Sequence, residues 1–263
     1  MADDGAARPH PRHLRDVPDA DPDDPPIILV PGIDGTALLF YRQQPLLAER
    51  FDVVAFPLPS TEGRRTNMDT LVKDLAGLVE EVSSDGAILC GESFGGALSM
   101  ATALERPDLV RGLIIVNSFP RVDQRLKLWA APKLLRLLPW GAMPLVRRYT
   151  SAHLHSPHAL PEDLHEFHER AKHIDREGYI GRLQILRRFD ITDRLHEIRA
   201  ATLLLAGDRD RLVPSVENGR LMERSIPRAE LRVLEGYGHV CLINHDLDLL
   251  EEIGPWWDRV RTE

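Results

Sequence analysis

Six short apolar runs recur along this chain, and helix-period stretches separate them. The runs are "IILVPG" (27–32), "FDVVAFP" (51–57), "AILCGES" (87–93), "GLIIVNS" (112–118), "ATLLLAG" (201–207) and "ELRVLEG" (230–236). They are rich in Ile, Leu and Val and read as continuous rather than alternating. Strands covered on both faces have this pattern, and that implies a parallel sheet. Between the runs, Leu71, Val72, Leu75, Leu78, Val79 and Val82 share one face of a helix predicted over 67–82. Residues 95–105 and 215–225 read the same way. Strand–helix alternation of this kind predicts a doubly wound, mostly parallel α/β fold. The chain's 263 residues suffice for one such domain carrying an insertion.

Two segments break the rhythm. Residues 1–25 contain seven aspartates and almost nothing apolar, so they read as a flexible tail. From 120 to 200 no clear strand occurs, and helical stretches are interrupted by Pro132, Pro139, Pro144, Pro157 and Pro161. The expected organisation is therefore a tail (1–25), a core (26–119 and 201–263) and a helical cap (120–200). A formal charge of −8 argues against a general nucleic-acid binder. No apolar run is long enough to cross a bilayer, and the N-terminus lacks an apolar signal region. Two cysteines, Cys90 and Cys241, make no disulfide framework. A cytoplasmic location is the reading that follows.

The third run leads into Gly91-Glu92-Ser93-Phe94-Gly95, a G-x-S-x-G sequence. By itself the pattern is a weak signal and also fits a serine at a helix N-cap. Its position between a strand and a helix strengthens it, because a sharp strand–turn–helix needs glycines beside an exposed serine. A serine nucleophile needs a base, and the base needs an orienting carboxylate. In this architecture both should follow later strands, the acid first. "LLLAGDRDRLVP" supplies Asp208 and Asp210, and "VLEGYGHVCLI" supplies His239. Asp210 sits further into its loop and is the preferred acid, with Asp208 shaping the turn. The oxyanion donors expected are the backbone N–H groups of Phe94 and of Ile33 in "VPGIDGT". Asp34 reads as a cap or as a hydrogen-bonding group in the site. Cys90 reads as a small residue under the turn, and the histidines of the insertion as mostly surface residues. Glu92 has no evident role. Phosphate-binding loops and zinc spacings are absent from the sequence, so no cofactor or metal is expected.

With these motifs in place, the chain resembles the α/β-hydrolase superfamily over 26–118 and 188–250. "LVPGIDGT" and "GESFGG" together are similar to the hydrolase domain of plant phytyl ester synthases and their small bacterial relatives. The chain departs from the wider family at Pro31-Gly32, where His-Gly is common, and at Ala201, where proline is. It also lacks the usual first antiparallel strands. The resemblance implies acyl transfer through a serine ester, with Ser93, His239 and Asp210 as the triad. It implies no organic cofactor.

The insertion is expected to set specificity. "RLKLWAAPKLLRLLPW" (125–140) interleaves leucines, Trp129 and Trp140 with cationic residues. It reads as a cap helix packed on the core or as a lid over an acyl pocket with transient lipid contact. The expected substrate is a small-molecule ester with a hydrophobic part, cleaved by a carboxylic ester hydrolase. An acyltransferase or a thioesterase with the same triad is the alternative, and a non-catalytic binding protein the least favoured. Oligomeric state is not readable.

Overall fold

The computed structural model describes residues 24–58, 66–122, 154–172 and 174–262. Six strands, β1 (Ile27–Val30), β2 (Val53–Ala55), β3 (Ala87–Glu92), β4 (Val110–Val116), β5 (Ala201–Gly207) and β6 (Ala229–Leu234), form one sheet. Their order is β2-β1-β3-β4-β5-β6, and every neighbouring pair is parallel. Each strand falls within or against one of the six apolar runs. β1 stops at Val30 because Pro31 has no N–H to continue the ladder.

Side chains alternate between two cores along the strands. Ile28, Val30, Leu89, Leu113, Ile115 and Leu204 face one layer, built with α2 (Met68–Val82) and α3 (Phe94–Glu105). Ile27, Leu29, Ile88, Cys90, Ile114 and Leu203 face the other. There α1 (Gln43–Leu47) and α7 (Leu249–Val260) contribute Leu47, Trp256 and Trp257. Burial on both faces explains the continuous apolar runs. α2 begins at Asn67, whose side chain accepts from the Thr70 N–H while Thr70 returns a hydroxyl bond to the Asn67 backbone.

β6 departs from the expected pattern. It is an edge strand with partly exposed positions, so its run alternates apolar with charged residues. Arg232 pairs with Glu230 at 2.9 Å and with Glu252 at 3.0 Å. Charges of this kind protect an open edge from pairing with other chains.

Between β4 and β5 lie α4 (Pro161–Ala171) and α5 (Arg176–Leu186). Pro161 begins α4 rather than breaking a helix, because its missing N–H is not needed in the first turn. Leu183, Leu186, Phe189 and Ile191 sink into the core on the α2/α3 side. α6 (Ser215–Ser225) packs against the same side through Met222. The leucine-rich stretch 125–140 lies outside the described residues, as do residues 1–23. Asp24, within the expected tail, is tied to the core. The Asp24 carboxylate is fully buried and accepts from Arg50 Nε (2.7 Å), Trp257 Nε1 (2.8 Å) and Arg261 (3.1 Å).

The strand order reverses around β1. The chain moves from β1 to β2 on one side, then returns to β3 on the other. The crevice at the carboxyl ends of β1 and β3, where Val30 pairs with Gly91, is the place where such sheets bind ligands.

Candidate active site

Ser93 stands at this crevice, between β3 and α3. Its backbone is strained, with φ 53° and ψ −114°. Two glycines make the turn possible. A Cβ on Gly91 would lie 2.5 Å from the Gly95 backbone, and one on Gly95 would lie 2.0 Å from the Val30 carbonyl oxygen. α3 is therefore pressed against the end of β1, and the serine is held above the helix N-terminus. Although Ser93 occupies the N-cap position, its side chain makes no capping bond. The hydroxyl is free for another partner.

That partner is His239. Its Nε2 lies 3.1 Å from Ser93 Oγ, and its Nδ1 lies 2.7 Å from Asp210 Oδ2. With Nδ1–H donating to the carboxylate, Nε2 is left to accept the serine proton. Asp210 is itself fixed on every side. Oδ1 accepts from the N–H groups of Leu212 and Val213, both at 2.9 Å, and Oδ2 accepts from Ser215 Oγ at 2.6 Å. Burial pushes its carboxyl up, but His239, the Ser215 hydroxyl and the Val213 amide outweigh that and leave it below its ordinary value. Burial pushes the His239 imidazole down. The hydrogen bond and charge of Asp210, helped by Glu92, outweigh that and leave it raised. Asp208 is elsewhere: its Oδ1 accepts from the Gly236 N–H at 2.6 Å and shapes the turn after β6.

The loop after β1 folds over the same point. The Gly35 N–H donates to the Gly32 carbonyl at 3.0 Å, and Gly35 has φ 79°, a conformation that favours glycine. Asp34 caps this turn by accepting from the Thr36 N–H at 2.9 Å and from its hydroxyl. Ile33 is half-buried against the core on the α2/α3 side. Phe94, as the first residue of α3, has an N–H with no partner inside its helix.

Three supports were not visible in the sequence. Asn117, in a left-handed conformation (φ 46°) after β4, donates its amide to the Gly238 and His239 carbonyls at 3.0 and 2.8 Å. Its oxygen accepts from the Gly207 N–H at 2.8 Å, so one side chain ties the β5 end to the His239 loop. Ser156 Oγ accepts from the Gly238 N–H at 3.1 Å on the other side of that loop. Arg182, from α5, is 2 % exposed and donates Nε to the Ile33 carbonyl at 2.8 Å and a terminal N–H to that of Asp34 at 3.2 Å. A polar residue placed directly after a strand was the only available signal, and only for Asn117. His155, expected at the surface with its neighbours, is buried beside Phe167, whereas His158 and His165 are exposed. His153 and His173 lie outside the described residues. Cys90 is buried below the turn and Cys241 behind His239, where it accepts from the Asn117 amide.

Among the described residues, no group of three or more His, Cys, Asp or Glu side chains could hold a metal ion. No helix among them is long and apolar enough to cross a membrane.

A six-stranded parallel sheet with a strained serine turn at its switch point defines an α/β hydrolase. Residues 27–252 match the alpha/beta hydrolase family, and the chain belongs to it. It is a hydrolase by that membership and by its relatives. It is 29% identical to "Putative carbamate hydrolase RutD" of Azorhizobium caulinodans, over 81% of this chain and 84% of that protein. It is 25% identical to phytyl ester synthase 1 of Arabidopsis thaliana, covering 88% of this chain but 36% of the plant protein. Among solved structures, a thermophilic esterase from Thermogutta terrifontis superposes with a TM-score of 0.78 at 22% identity, covering 92% of this chain and 91% of that one.

Proposed function

We propose that this protein is a serine hydrolase of carboxylic esters that works through an acyl-enzyme. The observation that carries the reading is the hydrogen-bonded series Ser93 Oγ–His239–Asp210, at 3.1 and 2.7 Å. Ser93 attacks the carbonyl carbon while His239 Nε2 takes its proton. Asp210 holds the imidazole tautomer and stabilises the imidazolium. The N–H groups of Phe94 and Ile33 receive the oxyanion. The imidazolium then gives its proton to the leaving alcohol, and a water activated by the same histidine releases the acid.

We expect residues 120–200 to supply a cap for this site, and the leucine-rich sequence 125–140 favours a hydrophobic acyl or alcohol group. A water-soluble enzyme of the cytoplasm, with at most transient lipid contact, fits this reading. The phytyl ester synthase relative favours a second reading, in which an alcohol replaces water in the last step. Nitrophenyl esters of acetate through laurate, with and without dodecanol, separate the two. A rise in kcat/KM toward medium or long chains is expected, with acid as the main product. A preference for acetate refutes the hydrophobic pocket, and a dodecyl ester as main product establishes transfer. Including a nitrophenyl carbamate tests the activity that the other relative's name suggests.

Arg182 offers a separate check on the oxyanion assignment. It holds the loop that carries Ile33, and loss of one oxyanion donor costs about 10²- to 10³-fold in kcat. Misplacement should cost less. Arg182→Met is expected to lower kcat about 10- to 100-fold with KM within about threefold, and added guanidinium should restore part of the loss. An unchanged kcat removes Ile33 from the oxyanion site.

A further inference from the structure

Glu92 is the buried group that the triad leaves unused. Its side chain is 3 % exposed, and Oε1 lies 3.7 Å from His239 Nε2, on the reacting side of the imidazole. Oε2 has no hydrogen-bond partner. That oxygen is packed against the loop after β1: a Cβ on Gly32 would come within 2.2 Å of it. The carboxyl group thus lies between the base and the loop that carries Ile33. A buried polar atom without a partner is costly, and a buried charge without one more so.

The Gly32 backbone favours the Glu92 anion, but burial and the neighbouring acids outweigh it. Asp34 and Asp210 are acidic, Cys241 is a buried thiol, and His239 must be neutral to accept the serine proton. An ionised Glu92 would favour the imidazolium form of His239 before reaction begins. It would also place a negative charge beside the oxyanion. A neutral carboxylic acid does neither. Its O–H is a donor, and Oε2 makes no hydrogen bond in the free site. The substrate carbonyl oxygen would supply an acceptor, at the same loop.

We propose that Glu92 acts as a neutral carboxylic acid which hydrogen-bonds the substrate oxygen beside the two backbone donors, and that its ionisation switches the site off. This rests on the triad reading above. It also narrows the substrate class, because an acyl group bearing its own carboxylate next to the scissile carbonyl would be excluded. Burial, followed by the charges of Asp34 and Asp210, pushes the carboxyl up to about 8, against the opposing pull of His239 and the Gly32 backbone. The working range is set accordingly. His239 must lose its proton for activity, which gives an acid limb. Glu92 must keep its proton, which gives an alkaline limb near pH 8.

The test is kcat/KM for nitrophenyl butyrate between pH 5 and 10. The wild type should show a bell, falling about tenfold per unit on its alkaline side. A wild-type profile flat from pH 8 to 10 overturns the proposal without any variant. Glu92→Gln keeps a donor but cannot ionise, so it should be about tenfold slower at pH 7 and flat in alkali. Its profile should cross that of the wild type near pH 9. A parallel fall in both profiles overturns the assignment of the limb to Glu92. Glu92→Met, of similar length with no donor, should be at least tenfold slower than Glu92→Gln. Equal rates overturn the hydrogen bond. Labelling of Ser93 by a fluorophosphonate at pH 7 keeps this distinct from the triad reading. If wild type and Glu92→Gln both label, a flat wild-type profile counts against Glu92 alone, whereas absent labelling counts against the triad.

Discussion

Ser93→Ala is expected to lower kcat for nitrophenyl butyrate by roughly 10⁵- to 10⁶-fold, since removing the nucleophile of a serine triad removes nearly all that the triad contributes. That corresponds to about 7–8 kcal/mol of barrier. The loss should come without a loss of stability. The hydroxyl makes no helix-capping bond, so the variant gives up no structural partner except His239 Nε2. Thermal unfolding should place Ser93→Ala at or slightly above the wild-type Tm. A variant that keeps activity removes the nucleophile assignment, and one that unfolds makes the hydroxyl structural.

Asp210→Asn should cost about 10⁴-fold in kcat, because an asparagine amide facing His239 Nδ1 favours the wrong tautomer. The neighbouring Asp208→Asn should cost less than about fivefold, since its bond to the Gly236 N–H shapes a turn and leaves the imidazole alone. The pair is informative because the two aspartates are separated by one residue and would be exchanged by a small error in the loop. A large loss in Asp208→Asn with a small one in Asp210→Asn would reverse the roles.

The elements legible in the sequence were those with a local cause. Continuous apolar runs marked strands buried on both faces, and the glycines around Ser93 marked the strained turn. Asp210 and His239 could be placed because each follows a strand, so position along the chain stood in for position in space. β6 was harder, since an edge strand has one side open and its apolar run is diluted by Glu230 and Arg232. The supports of the site were hidden for another reason. Arg182 reaches the Ile33 carbonyl across 149 residues of sequence, and Asn117 reaches the His239 carbonyl across 122. Neither contact leaves a periodic or spacing signal. Glu92 was visible inside its motif but not interpretable there. Its character comes from Gly32, Asp34 and His239, which other strands bring to it.

This arrangement makes the end of β3 the point where two sources of chemistry meet. The turn exposes Ser93 to His239, and the residue before it, Glu92, packs against the loop after β1. The segment between β4 and β5 meets the site there as well, because Arg182 of α5 holds the carbonyls of that loop while Ser156 holds the His239 loop.

The central claim is that Ser93 is the nucleophile activated by His239 and Asp210. The most direct measurement is the intact mass of the protein after treatment with a fluorophosphonate at pH 7, followed by peptide mapping. One phosphonyl group per chain is expected, located on the peptide containing Ser93, with no adduct on Ser93→Ala. An unmodified wild type, or an adduct that persists in Ser93→Ala, would contradict it.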